Sequence, residues 1–224
     1  LATTKTSSHD QIHHILLDLG IAFRDSGDLS QAEKMLQNSI KLAEEINDLA
    51  GMASAYNTLG TLNLKRGDTH LAIEAFEKSL EYLEKSNDVF GSAQLYNNLG
   101  IAYTDLREWE KSEQFYQKSL EITRRAGDSL GQARTLNNLA RVQVNQNKID
   151  QAIENYTQAI RLFGEMREHY NHAVAKYNRG KIYRRIKTFK LSRQDFTEAM
   201  ELFKRYGKHE EADSVLKDIN TLPC

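Results

Sequence analysis

Cysteine and proline are almost absent from this chain of 224 residues, which has one of each, Pro223 and Cys224. A single cysteine excludes an intrachain disulfide and a metal site built from several cysteines, and it favours a reducing, cytoplasmic setting. Long apolar runs are also missing, because no stretch approaches the roughly 18 to 20 continuous apolar residues of a membrane-spanning helix. The polar segment 1–8 lacks the apolar core of a secretion signal. We therefore expect a cytoplasmic protein without a membrane partner.

An excess of charge of either sign is missing as well. The 30 lysines and arginines nearly balance the 31 aspartates and glutamates, so the net charge of −1 gives no general reason to expect nucleic acid as a partner. Glycine-rich phosphate loops, a nucleophile with a matching base, and paired carboxylates attributable to a cleft are not found either. The sequence thus predicts no catalytic residue and no cofactor, which argues against an enzyme.

A forty-residue repeat runs through the sequence in five copies without an insertion. Small residues recur at Gly20, Gly60, Gly100, Ala140 and Gly180, and again at Ala32, Ala72, Ser112, Ala152 and Ser192. Large residues follow four positions later, at Leu36, Phe76, Tyr116, Tyr156 and Phe196. Apolar residues within a copy recur at steps of three and four, which predicts helices rather than strands. Small residues would let two antiparallel helices approach closely, and the large residue would fill the space beside them.

Short polar pairs separate the predicted helices, because glycine tolerates the left-handed conformation and aspartate can cap the next helix. These pairs are Gly27-Asp28 and Gly67-Asp68 within copies, and Asn47-Asp48, Asn87-Asp88 and Gly127-Asp128 between copies. After Gly207, apolar residues form one stripe over residues 210–219, as expected of a helix that covers the last pair.

The first copy, with Leu19-Gly20, Phe23, Ala32 and Leu36, resembles the tetratricopeptide repeat signature. The third copy matches at Leu99-Gly100, Tyr103, Ser112 and Tyr116. The usual repeat has about 34 residues and a proline near its end. This longer version is similar to repeats of kinesin light chains, spindle-orientation adaptors, and bacterial peptide-sensing regulators and signalling ATPases. The resemblance implies an all-α fold, a right-handed α-solenoid of five helix hairpins plus a C-terminal capping helix.

The repeat positions define the expected domain organisation. A disordered segment over 1–9 precedes five repeats at about 10–48, 49–88, 89–128, 129–168 and 169–207, followed by a capping helix over 208–220 and a tail over 221–224.

The resemblance also implies that the first helix of each pair lines a concave groove, where asparagine is frequent. These residues are Asn57, Asn97, Asn98, Asn137, Asn138, Asn145 and Asn178. Asparagine is a mediocre helix former, but its amide matches the N–H and C=O groups of an extended peptide. The alternative is that these amides bond to neighbouring helices or merely descend from duplication. Under the first interpretation, alanine at Asn98 and Asn138 would weaken binding and leave stability nearly intact.

Basic residues accompany the asparagines in copies four and five. Arg134, Asn138, Arg141 and Asn145 follow steps of four, three and four, so they share one helical face. Lys181, Arg184 and Arg185 belong to the range 171–194, which contains no acidic residue. Because arginine pairs with carboxylates, this region predicts a site for an acidic peptide, although a solvated basic face is equally consistent with it.

Other patterns receive a structural interpretation. His9 and His13 lie four apart, with Asp10 and His14 nearby, but a solvated helix end is favoured over a metal site, so no metal is predicted. Lys176 and Arg179 replace the Tyr96 and Leu99 of an earlier copy, which predicts that this helix of copy five packs more loosely or faces solvent.

The leading function is a scaffold that binds an extended, acidic peptide of a protein partner. The alternative is a ligand-sensing regulatory arm of a larger signalling protein, an ATPase, kinase or transcription regulator. A third hypothesis, nucleic-acid binding through the basic residues of 176–193, predicts affinity that falls steeply with salt.

Overall fold

The computed structural model describes residues 2–223, and side chains are described for residue 9 and for 11–223. The described backbone forms eleven α-helices and no strand. They are α1 (Ala2–Ser26), α2 (Leu29–Ile46), α3 (Leu49–Arg66), α4 (Thr69–Lys85), α5 (Ser92–Asp105), α6 (Trp109–Ala126), α7 (Ser129–Asn145), α8 (Ile149–Glu165), α9 (His169–Arg185), α10 (Phe189–Arg205) and α11 (His209–Asn220).

The helices form two compact units, Leu1–Glu108 and Trp109–Cys224. In unit 1, each helix from α1 to α4 packs against the next one in the chain, and in unit 2 each helix from α6 to α10 does so. At the C-terminal end, α11 places Ala212 and Val215 in a core with Phe196 and Phe203 of α10. The prediction of an all-α architecture of repeated helix pairs with a C-terminal capping helix is therefore confirmed.

The first helix is longer than the sequence indicated. We expected disorder over 1–9, but α1 begins at Ala2. Residues 2–12 contain neither glycine nor proline, so nothing in the chain stops the helix from continuing outward from its packed turns. Residue 1 lies outside the described residues.

Close contact between glycine and a large side chain holds the helix pairs together, as the repeat predicted. A Cβ added at Gly60 would lie 2.4 Å from a ring carbon of Phe76, and one at Gly20 would lie 2.8 Å from Leu36. Phe76 and Leu36 are both fully buried. Alanine at either glycine would force these helices apart, so the small residue is a packing requirement.

A residue with positive φ follows the last residue of every helix from α1 to α10 by one or two positions, at intervals of twenty residues. These residues are Gly27, Asn47, Gly67, Asn87, Arg107, Gly127, Asn147, Arg167, Lys187 and Gly207. The left-handed conformation lets the chain reverse after the last helical turn. Aspartates then begin some of the following helices: Asp28 accepts a hydrogen bond from the Gln31 amide, and Asp128 accepts one from Gly131.

Candidate peptide-binding site

Two of the predicted asparagines bond to each other in unit 1. The Nδ2 of Asn98 on α5 donates to the Oδ1 of Asn57 on α3 over 2.9 Å. Asn98 is 8% exposed, whereas Asn57 and Asn97 are half-buried. The Asn57–Asn98 pair therefore joins two first helices of neighbouring repeats, and part of its hydrogen-bonding capacity is used within the unit.

In unit 2, helices α7, α8 and α9 enclose a cleft of about 240 Å³, here called the α7–α9 cleft. It is lined by Arg141, Val144, Asn145, Tyr156, Asn178, Lys181, Ile182 and Arg185. Five of these were predicted as site residues from the sequence: Arg141, Asn145, Asn178, Lys181 and Arg185. The structure thus brings together predicted residues from two different repeats.

The α7–α9 cleft is basic around an apolar base. Tyr156 and Ile182 are buried, and burial raises the pKa of the Tyr156 phenol, which stays neutral. Arg141 and Lys181 are exposed and form no ion pair among the described residues. No carboxylate lines the cleft. Such a site places positive charge beside an apolar surface, which suits an anionic side chain with an apolar stem.

The third cation of the cleft is held in place by backbone and amide groups. Arg185 donates to the Val144 carbonyl over 3.3 Å and to the Oδ1 of Asn147 over 2.9 Å. Both acceptors are neutral, so the guanidinium keeps its full positive charge while its position is fixed. Fixing the group before binding reduces the entropy that a ligand would have to remove.

The amides of unit 2 are arranged differently from those of unit 1. Asn178 and Asn137 stand at the repeat positions of Asn98 and Asn57, but the corresponding hydrogen bond is not formed. The Oδ1 of Asn137 is buried and has no hydrogen-bond partner among the described residues. Asn145, at the exposed end of α7, donates its amide to the Arg141 carbonyl over 2.9 Å. A buried acceptor without a partner is costly, and such groups often belong to binding sites.

Four predicted residues of this region do not line the α7–α9 cleft. Arg134 is exposed on α7, and Asn137 and Asn138 are half-buried on the same helix. Arg184 instead donates to the Oδ1 of Asp218 on α11 over 2.7 Å. The structure therefore assigns Arg184 to the contact between α9 and the capping helix.

Three of the eight lysines and arginines in the basic range 171–194 form ion pairs with acids outside it. Lys176 lies 2.6 Å from Glu198, and Arg179 forms two hydrogen bonds of 2.8 Å with Asp195. Asp195 is 2% exposed, so the pair with Arg179 is largely removed from water. Ion pairs thus stand where an earlier copy has Tyr96 and Leu99, and Lys176 and Arg179 are half-buried rather than exposed to solvent.

The ion pairs shift the pKa values of their acids. Desolvation raises the pKa of Asp218, but hydrogen bonds from Tyr177 and Arg184 outweigh it and hold the pKa below its ordinary value. Desolvation lowers the pKa of Lys181, and the charge of Asp218 opposes that shift. Asp218 is therefore ionised at neutral pH, and its charge acts on Lys181 of the cleft as well as on Arg184.

Three cleft residues, Val144, Tyr156 and Ile182, were not predicted as site residues. Tyr156 occupies the large-residue position of the repeat, which indicates a core role and gives no signal for a site. Val144 and Ile182 are apolar residues of α7 and α9, and their position beside the basic residues depends on how the helices pack.

Family models show what the chain is similar to. A model described as tetratricopeptide repeat matches residues 11–85 and 91–165, and a second model with the same description matches 137–210. Together they cover most of the chain. No curated protein matches the sequence significantly.

Solved structures share the fold at low sequence identity. Aspartyl phosphate phosphatase F from Bacillus subtilis matches with a TM-score of 0.80 and 14% identity, over 92% of this chain and 54% of that one. A putative kinesin light chain repeat protein from Podosopora anserina matches with a TM-score of 0.71 and 12% identity, over 87% and 96%. A signal transduction ATPase with numerous domains from Pyrococcus horikoshii, which has a tetratricopeptide repeat sensor, matches with a TM-score of 0.69 and 18% identity, over 93% and 35%.

These likenesses show the fold alone. The chain spans about half of the phosphatase and about a third of the ATPase. In residues 2–223, every helix is too short or too polar to traverse a lipid bilayer.

Proposed function

The chain belongs to the tetratricopeptide repeat family, and we propose that it is a cytoplasmic protein–protein interaction scaffold that binds an extended, acidic peptide segment. The observation that carries the proposal is the α7–α9 cleft, in which Arg141, Lys181 and Arg185 surround an apolar base without a carboxylate. Binding rather than catalysis is the activity that these groups support.

The side chains around the cleft suit a peptide. Arginine and lysine pair with carboxylates, and amides such as Asn145 and Asn178 can bond to both the N–H and C=O groups of an extended backbone. Cations would select the acidic side chain, while the amides would hold the main chain with little regard to sequence. Asn138 and Arg134 are proposed to extend this surface along α7 within the same unit.

The size of the cleft favours a side chain over a small-molecule ligand. Pockets for drug-sized ligands and cofactors have about 300–1,000 Å³. At about 240 Å³, the α7–α9 cleft has room for one or two side chains. We therefore propose that it receives a single glutamate or aspartate side chain, or a C-terminal carboxylate, from a longer bound segment.

A charge-reversal experiment tests the proposal. The variant Arg141→Glu/Lys181→Glu is compared with Arg124→Glu/Lys204→Glu, whose exposed residues lie outside the cleft. Both variants change the net charge by −4, from −1 to −5. Binding of a dye-labelled peptide pool enriched in Asp and Glu is measured by fluorescence anisotropy, with a Lys-enriched pool for comparison.

The cleft variant should bind the acidic pool at least about tenfold more weakly, because hydrogen bonds to charged groups contribute about 1.5–3 kcal/mol each and tenfold is about 1.4 kcal/mol. The control variant should lose much less. Equal losses in both variants would show only a general effect of net charge and would contradict a specific cleft.

The same assay addresses nucleic acid as a partner. An oligonucleotide competitor should not displace the acidic peptides at physiological salt, since Lys176, Arg179 and Arg184 are already paired with acids. Displacement that weakens steeply with added salt would favour phosphate binding instead.

A regulatory arm is the second candidate function. The similar Pyrococcus horikoshii ATPase has a tetratricopeptide repeat sensor and is about three times as long as the matched region. A sensing arm would use the same α7–α9 cleft, but ligand binding would have to change the helix packing. Hydrogen exchange with and without the acidic peptide separates the two functions: a scaffold protects the cleft alone, whereas a sensor also changes exchange in distant helices.

A further inference from the structure

His13, His14 and Asp48 form a cluster of metal-binding side chains in unit 1, remote in sequence from the α7–α9 cleft. One donor atom from each residue lies within 4.8 Å of the other two. His13 is fully buried, Asp48 is half-buried and His14 is exposed. His9, which pairs with His13 at helical spacing in the sequence, lies 3.5 Å from Glu45 instead.

The hydrogen bonds of His13 determine which ring nitrogen carries a proton. Ser39 donates its only hydroxyl hydrogen to the His13 carbonyl over 2.9 Å. The same oxygen lies 3.3 Å from the His13 Nδ1, toward which it can act only as an acceptor. Nδ1 is therefore the protonated nitrogen, and in the neutral ring Nε2 presents a lone pair.

That lone pair faces a carboxylate. The Nε2 of His13 lies 3.0 Å from the Oδ2 of Asp48, yet this buried nitrogen has no hydrogen-bond partner among the described residues. Two acceptors at this distance repel each other unless a cation lies beside them. That cation is either a proton on Nε2 or a metal ion, and the nearby His14 supplies the third ligand that a metal requires.

Asp48 stands at the start of a helix but makes no capping hydrogen bond. Asp28, Asp88 and Asp128 each accept a hydrogen bond from the backbone N–H three residues later. Asp48 before α3 makes no such bond, and neither does Asp68 before α4. The residue three positions on is Gly51, where a Cβ would lie 2.3 Å from the Asp48 Oδ2 and 2.4 Å from the His13 ring.

We propose that His13, His14 and Asp48 bind a divalent transition metal ion, with Zn²⁺ as the best match. Two imidazole nitrogens and one carboxylate oxygen are ligands that Zn²⁺ accepts at about 2.0–2.2 Å, leaving a fourth position for water. Ser39 acts as the supporting partner that orients the His13 ring, as the hydrogen-bond partners of metal-binding histidines commonly do. The ion would fasten α1 to the turn between α2 and α3.

Calorimetric titration of Zn²⁺ into the protein, prepared without a histidine tag, tests this site. The wild type should bind one ion per chain. His14→Ala and Asp48→Asn should each weaken binding by at least the roughly 10- to 100-fold that results from losing a supporting partner alone. His70→Ala, which removes an exposed histidine on α4, is the matched control and should bind as the wild type does.

Two further measurements keep the outcome clear. Melting temperatures are compared in EDTA and in Zn²⁺, and Zn²⁺ should raise the melting temperature of the wild type and of His70→Ala but not that of His14→Ala. Co²⁺ in place of Zn²⁺ should give the visible absorption of a tetrahedral site. If wild-type binding is not saturable, or if His14→Ala binds as tightly as His70→Ala, the proposal is overturned and the contact is a His13–Asp48 ion pair alone.

Discussion

Asparagines at corresponding repeat positions have different hydrogen-bond partners in the two units. In unit 1, the side-chain amide of Asn98 donates a hydrogen bond to that of Asn57. In unit 2, Asn178 and Asn137 stand at the same positions, but the bond is missing and Asn178 lines the α7–α9 cleft. The comparison shows that a recurring residue does not imply a recurring contact, because neighbouring helices decide which partner each amide meets.

A second pair of positions differs in the same way. Leu59 and Ala75 of unit 1 correspond to Arg179 and Asp195 of unit 2, which form a buried ion pair. The last repeat therefore joins its two helices by charge where an earlier repeat uses apolar packing. Such pairs add specificity of contact, but they need not add stability, because removing charges from water is costly.

The largest effect should come from breaking the ion pair on one side. Asp195→Ala leaves the Arg179 guanidinium buried without its carboxylate, which we expect to lower the free energy of unfolding by about 3–5 kcal/mol. Urea unfolding followed by circular dichroism measures the change. A loss below about 1 kcal/mol would mean that the pair is effectively solvated.

The double variant Arg179→Leu/Asp195→Ala sharpens this test by restoring the residues of unit 1. We expect it to unfold at a urea concentration equal to or above that of the wild type, since replacing a buried ion pair by apolar residues is often neutral or stabilising.

A smaller effect on the free energy of unfolding should distinguish Asn98 from Asn178. Asn98→Ala leaves Asn57 without its donor and should destabilise the protein by about 1–2 kcal/mol. This revises the expectation from sequence that alanine at Asn98 would leave stability nearly intact. Asn178→Ala, in which no such pair is lost, should change stability by less than about 0.5 kcal/mol and weaken binding of the acidic peptide pool. Melting temperatures measure the stability of the two variants, and anisotropy titrations measure their peptide binding. Equal destabilisation by the two substitutions would contradict the different roles of Asn98 and Asn178.

The smallest effect concerns the turn within each helix pair. Gly67 of unit 1 and Lys187 of unit 2 are equivalent, and their φ values are 92° and 60°. Lysine is strained in the left-handed region, so Lys187→Gly should stabilise the protein by about 0.5–1 kcal/mol, whereas Gly67→Ala should destabilise it by a similar amount. Differential scanning calorimetry measures both, and a lower melting temperature for Lys187→Gly would show that the lysine side chain makes a compensating contact.

Most of the fold could be predicted from the sequence because it depends on local rules. The glycine at Gly60 and the phenylalanine at Phe76 must occur together for two helices to pack, and the spacing of forty residues repeats that requirement. The candidate site could be predicted in part: Arg141 and Asn145 share a helical face, and Asn178 follows from its repeat position. Lys181 and Arg185 belong to a range without acids. The ion pair of Arg184 could not be predicted because its partner, Asp218, lies outside the repeats that were compared.

The sequence by itself determined that the five copies form helix pairs, where several of the turns lie and which face of a repeat helix is buried, since these follow from periodicity and backbone sterics within a few turns. Only the tertiary structure decided which polar side chains form hydrogen bonds with one another. Asn98 and Asn178 are the same residue at the same repeat position, yet hydrogen bonds form only at defined distances and angles. The packing of each helix against its neighbour sets those distances, and so it separates a structural amide from one that lines a cleft.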